Sequence, residues 1–375
     1  MIIGTSSILE LKYTLEWCTI FHIIMNAERK KLLRSMFWAV LIGLLANLGI
    51  AFLMDFKDIL SALKKVDFSI VFVPFLFYLI IYIIDSLRLM IVLRQFNITI
   101  PLWEAFYNSV NVTLFSNLTP MATGGQPFQI LHLTSIGVDS KKATNVVLSR
   151  HVEFMFTAFF IFMISIPTAI GLANSMKIGR VPMYIGFLVS LSMTFFSLLA
   201  LIKPDTISRF VLRFQKTKFS HWLGKILKKE NWAEVFHNWA TSLKEEVGFL
   251  WAEKTLIMSL DLLLGFVNLV LQALSVFYVL MKLTPISVTF FHVFATFVII
   301  NLVIYYIPTP GGSGSIEGSY IWIFSGMNDA PAATTVAIVL WRFATYYMHI
   351  IFGLCIFFIH SYIQDKRQTK LLTGT

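Results

Sequence analysis

Long apolar runs constrain the fold of this chain more than any other feature. A helix needs roughly 20 apolar residues to cross a bilayer core of about 30 Å. None of the runs alternates apolar and polar residues, as the strands of a membrane barrel do. The sequence therefore predicts an all-α polytopic membrane protein with about eight transmembrane helices. The runs lie at 35–54, 69–93, 102–118, 150–172, 182–203, 254–282, 287–307 and 331–361.

The composition supports this class and excludes an ordinary soluble domain. The chain of 375 residues is 57% hydrophobic and 13% charged, whereas roughly a quarter of the residues in soluble domains are charged. The net charge of +10 is expected to come from basic loops that face anionic lipid, and not from nucleic-acid binding. Cys18 and Cys355 are the only cysteines. They show no motif spacing, so neither a disulfide framework nor a metal site is predicted.

The distribution of lysine and arginine predicts the orientation in the membrane. Basic clusters lie before the first run, in the first half of segment 204–253 and after the last run. Because cytoplasmic loops carry the excess of Lys and Arg, both termini and the 139–149 loop are predicted to lie inside. This count closes only if two shorter apolar pieces, 126–137 and 315–327, are counted as crossings.

These features divide the chain into five segments. They are a cytoplasmic segment at 1–34, a first membrane half at 35–203, a cytoplasmic segment at 204–253, a second membrane half at 254–361 and a basic tail at 362–375. Apolar residues at helical spacing in the middle segment predict amphipathic helices on the inner membrane surface, or a linker helix packed under the bundle. The basic cluster that follows Met25 predicts that translation begins at that residue.

Two Pro/Gly-rich motifs interrupt the apolar runs at corresponding places, at 117–129 and 305–320. Each is followed by a short apolar piece, a glycine, an Ala/Thr-rich helix start and an arginine. Such paired interruptions predict two short re-entrant or broken helices in an inverted repeat, which is the pattern of a transporter's central site. The alternative is that Pro and Gly only kink helices or allow tight packing. The residues expected to shape the two turns are Pro120, Gly124, Gly125, Pro308, Pro310, Gly311, Gly312 and Gly314.

Ionisable residues within the runs are the candidate site residues, because such groups are costly in a membrane and usually functional. Arg342 lies in the last run and Glu317 in the second motif, where the two can pair. An arginine can also grip a phosphate with two parallel hydrogen bonds. Arg150 and Glu153 are three residues apart on one helix face, so they can pair with each other.

Several other polar residues in the runs have structural explanations. Asp85 and Arg88 have the spacing of a self-neutralising pair, and snorkelling from a helix end explains Arg88 and Arg150 equally well. Asp261 is a further acid within a run. His292 and His349 are lone histidines on apolar helices, for which packing in the core is expected.

The two motifs together resemble a known family. The segments "TPMATGGQPFQILHLTSIGV" with "SRHVEF", and "PTPGGSGSIEG" with "WRFATYY", are similar to those of the lysylphosphatidylglycerol synthase transmembrane-region family. This is the membrane half of the bacterial multiple peptide resistance factor. The resemblance covers roughly 35–360. Many relatives carry Gly-Glu and a following Arg in the first motif, where this chain has Gln126 and Gln129, a change expected to alter headgroup preference.

The resemblance implies a flippase-like domain of the bacterial inner membrane that moves phosphatidylglycerol or its aminoacylated derivative. Arg150 and Arg342 are then expected to meet the phosphate, while Glu153, Glu317 and Gln126 orient the headgroup. No cofactor is implied, and no catalytic set such as GxSxG or HExxH is present.

Two rival functions stay open at this point. The first is a lysylphosphatidylglycerol synthase component that needs a separate soluble aminoacyltransferase, because the tail at 362–375 is too short to form a transferase domain. The second is a non-catalytic scaffold for an envelope enzyme. The oligomeric state is not predicted.

Overall fold

The computed structural model describes residues 66–119, 121–175, 248–285, 289–304, 309, 311–326 and 330–373, and scattered positions elsewhere between 57 and 245. Every regular element among these residues is helical. The helices are α1 (Ser69–Arg94), α2 (Leu102–Leu118), α3 (Gly125–Ser135), α4 (Ser140–Ser175), α5 (Thr255–Leu283), α6 (Phe290–Ile304), α7 (Ser315–Ser325), α8 (Pro331–Arg342) and α9 (Met348–Thr373). A π-helical turn, Phe343–Tyr347, joins α8 to α9.

In the described part of the chain, four helical stretches are long and apolar enough to cross a membrane. They are Ser69–Arg94, Ser140–Thr168, Thr255–Leu283 and the continuous stretch Pro331–Gln364. Ile83, Leu263 and Ile351 on these helices are at least half exposed. Large apolar side chains on the outside of a helix bundle are suited to contact with lipid tails, which are equally apolar. The chain is an all-α membrane protein, as the sequence predicts.

Several predicted runs coincide with helices of the structure. The runs 69–93, 102–118 and 254–282 become α1, α2 and α5, with ends displaced by at most one residue. The short pieces 126–137 and 315–327 become α3 and α7, each of 11 residues. Both are far too short to cross a core of about 30 Å at about 1.5 Å per residue.

The predicted 139–149 loop is wrong, because α4 begins at Ser140. The side chain of Asp139 accepts a hydrogen bond from the backbone N–H of Lys142 at 3.0 Å. An aspartate in this position satisfies a free N–H of the first helical turn. The helix therefore starts ten residues before the predicted run at 150–172, and the basic residues lie on its first turns.

The remaining predicted segments are covered only in part. The run 287–307 is described as α6. The runs 35–54 and 182–203 and the segment 1–34 lie outside the described residues, apart from isolated positions. Of the segment 204–253, the final residues pack under the bundle, where Leu250 is buried among apolar residues of α1 to α4. Those residues fit the linker-helix alternative.

The helices pack around α1, which lies along both α5 and α2. Helix α3 packs on α2 and α4, and α7 packs on α8. Helix α9 lies along α2, where a Cβ added at Gly353 would be 3.1 Å from the Cβ of Leu114. The second half of the chain thereby contacts the first along most of α1 and α2.

The two motif turns begin with similar φ values but differ at their fourth residue, where Gly124 has φ of −82° and Gly314 has φ of 83°. Met121 and Ala122 both have φ of 54°, and the corresponding Gly311 and Gly312 have φ of 56° and 67°. A four-residue turn leads in each case directly into an 11-residue helix. The predicted repeat is thus present in the local structure of the motifs. Its inverted orientation in the membrane stays a prediction, and Pro120, Pro308 and Pro310 lie outside the described residues.

Gly124 and Gly125 allow α3 to lie directly against α2. A Cβ at Gly124 would be 2.9 Å from the carbonyl oxygen of Phe115, and one at Gly125 would be 2.8 Å from that of Val112. Both distances are shorter than real Cβ contacts, and backbone atoms cannot move aside cheaply. Close packing is therefore one role of these two glycines, as the packing alternative predicts.

Candidate functional site

Arg88 of α1 is the centre of a buried charged network. Its Nε donates to Asp261 Oδ1 at 2.7 Å, its Nη1 to Asp85 Oδ1 at 3.0 Å and its Nη2 to Glu153 Oε2 at 3.5 Å. These residues come from α1, α4 and α5, so the network joins both halves of the chain. Gly265 provides the space, because a Cβ there would lie 2.8 Å from Arg88 Nη2.

Arg150 is the second cation of this network. Its Nη2 lies 3.4 Å from Asp85 Oδ1 and its Nε lies 3.8 Å from Asp261 Oδ2. The predicted Arg150–Glu153 pair is wrong: both residues lie on α4, but Glu153 faces Arg88 and Arg150 faces two aspartates. Side chains three apart on a helix can meet, yet tertiary partners on α1 and α5 attract these two more strongly.

Arg88 and Arg150 do not snorkel. Their side chains are 10% and 12% exposed and make the ion pairs just described. The predicted Asp85–Arg88 pair is present, but it is one contact in a network of five ionisable residues. Buried charges are retained only when they are paired or serve a ligand.

The network has unused hydrogen-bonding capacity. Arg150 Nε is buried and makes no hydrogen bond to the described residues. Asp261 Oδ2 and Glu153 Oε1 make none while both carboxyl groups are ionised, but a proton on Glu153 would let these two groups bond to each other. Three carboxyl groups face two guanidinium groups, and the Asp85 side chain remains one-third exposed. A buried polar atom without a partner calls for an explanation such as a bound ligand. The network is therefore a candidate binding site that is accessible at Asp85.

Glu317 and Arg342 form a second ion pair, as predicted. Arg342 Nε donates to Glu317 Oε1 at 3.1 Å, and Glu317 Oε2 accepts from the backbone N–H of Gly314 at 2.7 Å. Glu317 thus caps α7 while neutralising the arginine. Arg342 Nη2 also donates to the carbonyl oxygen of Gly311. Both charged side chains are buried.

Tyr346 connects the two motifs. It lies in the π-helical turn, near the middle of the stretch Pro331–Gln364. Its hydroxyl donates to the carbonyl oxygen of Asn117 at 3.2 Å, and its ring lies 4.2 Å from Arg342 Cζ. Gly311 touches the same ring so closely that a Cβ would overlap it. Asn117 at the start of the first motif and Gly311 in the second turn therefore both lie near the middle of the continuous stretch Pro331–Gln364.

Other sequence-predicted residues are distributed around these networks. Gln126 Nε2 lies 2.7 Å from Nδ1 of His151, the neighbour of Arg150, and does not touch an ion pair. His349 is buried against Tyr82, at 3.1 Å from its hydroxyl, as predicted. His292 is exposed, and its Nδ1 lies within hydrogen-bond distance of the Thr289 hydroxyl. The prediction that His292 packs in the core is therefore wrong.

Two residues of the site, Asn268 and Tyr346, were not predicted from the sequence. Asn268 donates to Asp85 Oδ1 at 2.9 Å, and an asparagine in an apolar run is a signal that could have found it. Tyr346 is one tyrosine among 12, and nothing local marks its contact with Asn117.

Comparison with known proteins gives the family. Residues 36–353 match the family described as the lysylphosphatidylglycerol synthase TM region. The chain belongs to this family. A UPF0104 membrane protein of Archaeoglobus fulgidus is 24% identical over 328 residues, which are 84% of this chain and 93% of that protein. The range of the family match spans both motifs, both ion-pair networks and Tyr346, so the site described above lies within the matched region.

Proposed function

We propose that the protein is a flippase-like transporter that moves a phospholipid with an anionic or aminoacylated headgroup between the leaflets. The observation that carries this proposal is the network of Asp85, Arg88, Arg150, Glu153 and Asp261. It is buried among helices long enough to cross the membrane, it is open at Asp85, and Arg150 Nε within it is buried without a hydrogen bond to the described residues. Ionisable groups at such places mark substrate pathways.

The balance of charge favours a headgroup that carries both signs. With every group ionised, three carboxylates outnumber two guanidinium groups. A lipid such as lysyl-phosphatidylglycerol brings a phosphate and ammonium groups together. We assign the phosphate to Arg150, whose Nε lacks a hydrogen-bond partner, and an ammonium group to Asp85, whose side chain is accessible. Glu153 holds Arg88 in place from the other side.

The ion pair of Arg342 and Glu317 forms a second position where the lipid headgroup can bind. In the present conformation Arg342 is engaged by Glu317, by the carbonyl of Gly311 and by the Tyr346 ring. A phosphate that replaces the Gly311 carbonyl would gain a charge-assisted hydrogen bond, which is stronger than a neutral one. Binding of the headgroup would then release the second motif turn, while Gln126 and His151 lie beside the first.

The proposed path follows from the arrangement of the motifs. Helices α2 and α3 form one hairpin, and α6 and α7 the other. The end of α2 contacts Tyr346 and the second turn contacts Arg342, both near the middle of the continuous stretch Pro331–Gln364. We infer that the hairpins enter from opposite sides, with both chain termini on the cytoplasmic side of a bacterial inner membrane. Alternating access in such repeats arises from movement of one half against the other.

The description of the family favours one second candidate. A lysylphosphatidylglycerol synthase component would present the lipid to a soluble aminoacyltransferase, and the same network would hold the headgroup during transfer. This candidate predicts lipid binding without spontaneous movement between leaflets.

The test is leaflet exchange in liposomes. Purified protein is reconstituted with fluorescent phosphatidylglycerol or fluorescent lysyl-phosphatidylglycerol, and exchange is followed by dithionite quenching. Wild-type protein is expected to accelerate exchange of the lysylated lipid at least as strongly as that of the parent lipid. Asp85→Asn, Arg150→Gln and Arg342→Gln are each expected to slow exchange about tenfold or more.

The matched control is Lys142→Gln, which removes an exposed positive charge on the same helix as Arg150. It is expected to exchange lipid at the wild-type rate. Wild-type protein that binds the lipids but does not accelerate their exchange would favour the synthase component. Rapid exchange in all three variants, Asp85→Asn, Arg150→Gln and Arg342→Gln, would refute the assignment of the site.

A further inference from the structure

A third buried polar group lies at one end of the bundle, apart from both ion-pair networks. It consists of Glu104 in the first turn of α2, His132 near the end of α3 and His360 in α9. Glu104 Oε2 lies 3.1 Å from His132 Nε2 and 2.9 Å from His360 Nε2. The three ligand atoms all lie within 4.8 Å of one another, and all three residues are less than 9% exposed.

Among the described residues, no lysine or arginine pairs with the carboxylate of this group. Its only hydrogen-bond partners among the described residues are the two imidazoles, whereas the buried acids of the other two networks all face arginine. A buried charge without a partner is strongly unfavourable. Two neutral imidazoles do not supply a positive charge. Either one of them holds a proton, or a cation binds between the three groups.

Neighbouring side chains hold both rings in place. His132 Nδ1 lies 2.9 Å from the amide nitrogen of Asn108, which is itself fixed by Gln129 at 2.8 Å. The His360 ring stacks on Tyr107, with centroids 3.7 Å apart. Outer contacts of this kind orient histidine ligands in metal sites. With the Asn108 nitrogen toward Nδ1, a neutral His132 ring carries its proton on Nε2 and donates to Glu104. An ion at Nε2 would require the amides of Asn108 and Gln129 to turn together, so that the Asn108 oxygen accepts from Nδ1–H.

The spacing of the carboxylate oxygen from each imidazole nitrogen is close to that expected around a small divalent ion, and the two imidazole nitrogens lie within 4.8 Å of each other. Bonds of about 2.0–2.1 Å in tetrahedral geometry place ligand atoms about 3.3 Å apart. The two Nε2–Oε2 distances are only a few tenths of an ångström shorter, so a slight outward movement of the rings would admit an ion. Glu104 Oε1 makes no hydrogen bond to the described residues and can turn toward the ion or toward water.

We propose that Glu104, His132 and His360 bind a divalent transition-metal ion, with Zn²⁺ as the ion that suits two imidazoles and one carboxylate best. The sequence predicts no metal because Glu104 is 28 residues from His132 and 256 residues from His360. Only the contact of α2, α3 and α9 brings the ligands together. The ion would fasten the first hairpin to the last helix, and this role does not depend on which lipid the protein handles.

Metal analysis of the full-length protein tests the proposal directly. Protein purified in detergent is stripped with a chelator, incubated with Zn²⁺, passed through a desalting column and analysed by mass spectrometry for bound metal. We expect close to one Zn²⁺ per chain. Co²⁺ in place of Zn²⁺ is expected to give the visible absorption bands of a four- or five-coordinate nitrogen and oxygen site, and Zn²⁺ should displace them.

Variants separate this site from adventitious binding. His360→Gln and Glu104→Gln are expected to weaken Zn²⁺ binding at least about tenfold and to remove the Co²⁺ bands. His349→Gln changes a buried histidine of the same helix outside the group and should keep both. Wild-type protein that retains no Zn²⁺ and gives no Co²⁺ bands overturns the proposal in favour of a protonated imidazole. Equal binding by wild type and folded His360→Gln overturns it as well.

Discussion

Arg342 shows how a buried charge is made tolerable at membrane depth. Glu317 neutralises it, the Gly311 carbonyl accepts from it, and the Tyr346 ring covers its face. Glu317 in turn caps α7 through the N–H of Gly314. The pair therefore sets both the charge and the geometry of the second motif turn. Removing either partner leaves the other without compensation.

We expect Glu317→Gln and Arg342→Gln each to lower the free energy of unfolding by about 3–5 kcal/mol, the range found when one partner of a buried ion pair is lost. The double variant should be less destabilised than the sum of the single effects, because it leaves no unpaired charge. Unfolding in mixed detergent and SDS micelles, followed by circular dichroism, measures all three. Additive effects would contradict a direct coupling between the two side chains.

Gly311 provides a second prediction at this scale. Its φ of 56° is in the left-handed region, and a Cβ would overlap the Tyr346 ring. We expect Gly311→Ala to lower the thermal unfolding temperature clearly, because the turn and the ring cannot both keep their positions. Gly318→Ala is the control: no atom lies within 4 Å of the added methyl group, and alanine favours a helix by about 1 kcal/mol relative to glycine. A Gly311→Ala protein as stable as Gly318→Ala would refute the contact.

Helices α2 and α9 make a close contact between the two halves of the chain. The contact lies at Gly353, beside Leu114, and it is continued by the stacking of Tyr107 on His360. The π-helical turn just before α9 places Tyr346 toward Asn117 at the other end of this interface. A π-helical turn of this kind is often found at functional sites.

Disulfide cross-linking tests this packing. In a Cys18→Ser/Cys355→Ser background, Leu114→Cys with Gly353→Cys is expected to cross-link rapidly under mild oxidation, because the two Cβ positions are close to the roughly 3.5–4.5 Å span of a disulfide. The control pairs Leu114→Cys with Phe358→Cys, since Phe358 is exposed on another face of α9. Peptide mass spectrometry identifies the linked segments. Equal cross-linking of both pairs would contradict the helix packing.

At the scale of the whole molecule, contacts between helix ends agree with the proposed topology. The start of α2, the end of α3 and the far part of α9 meet at Glu104, His132 and His360. The charge count predicts that these three ends all face the cytoplasm. Both motifs contact residues near the middle of the continuous stretch Pro331–Gln364. The proposed pair of opposed hairpins requires such contacts.

Labelling in intact cells tests this topology. In the same cysteine-free background, Lys141→Cys is expected to be protected from a membrane-impermeant maleimide until the cells are permeabilised. Asn328→Cys is expected to react at once, because the segment between α7 and α8 is predicted outside. The opposite pattern would reverse the orientation, and reaction at both sites in intact cells would contradict the inverted repeat.

The sequence alone determined the class of fold, the positions of most helices and the two motifs. Run length decides whether a helix crosses a membrane, and Pro/Gly clusters decide where it stops, so α1, α2, α3, α5 and α7 could be predicted within a few residues. The Glu317–Arg342 pair was also predictable, since few ionisable groups occur in the apolar runs and the two lie close along the chain.

The tertiary structure decided which charges meet. Arg150 and Glu153 have the spacing of a local pair, yet Arg88 and Asp261, from other helices, separate them. Glu104 and His360 have no pattern in common until α2 packs on α9. Hydrophobic periodicity records which face of a helix is buried, but it does not record which helix covers that face. Contacts between distant parts of the chain depend on the packing of the whole bundle. That packing decides which buried charges form ion pairs.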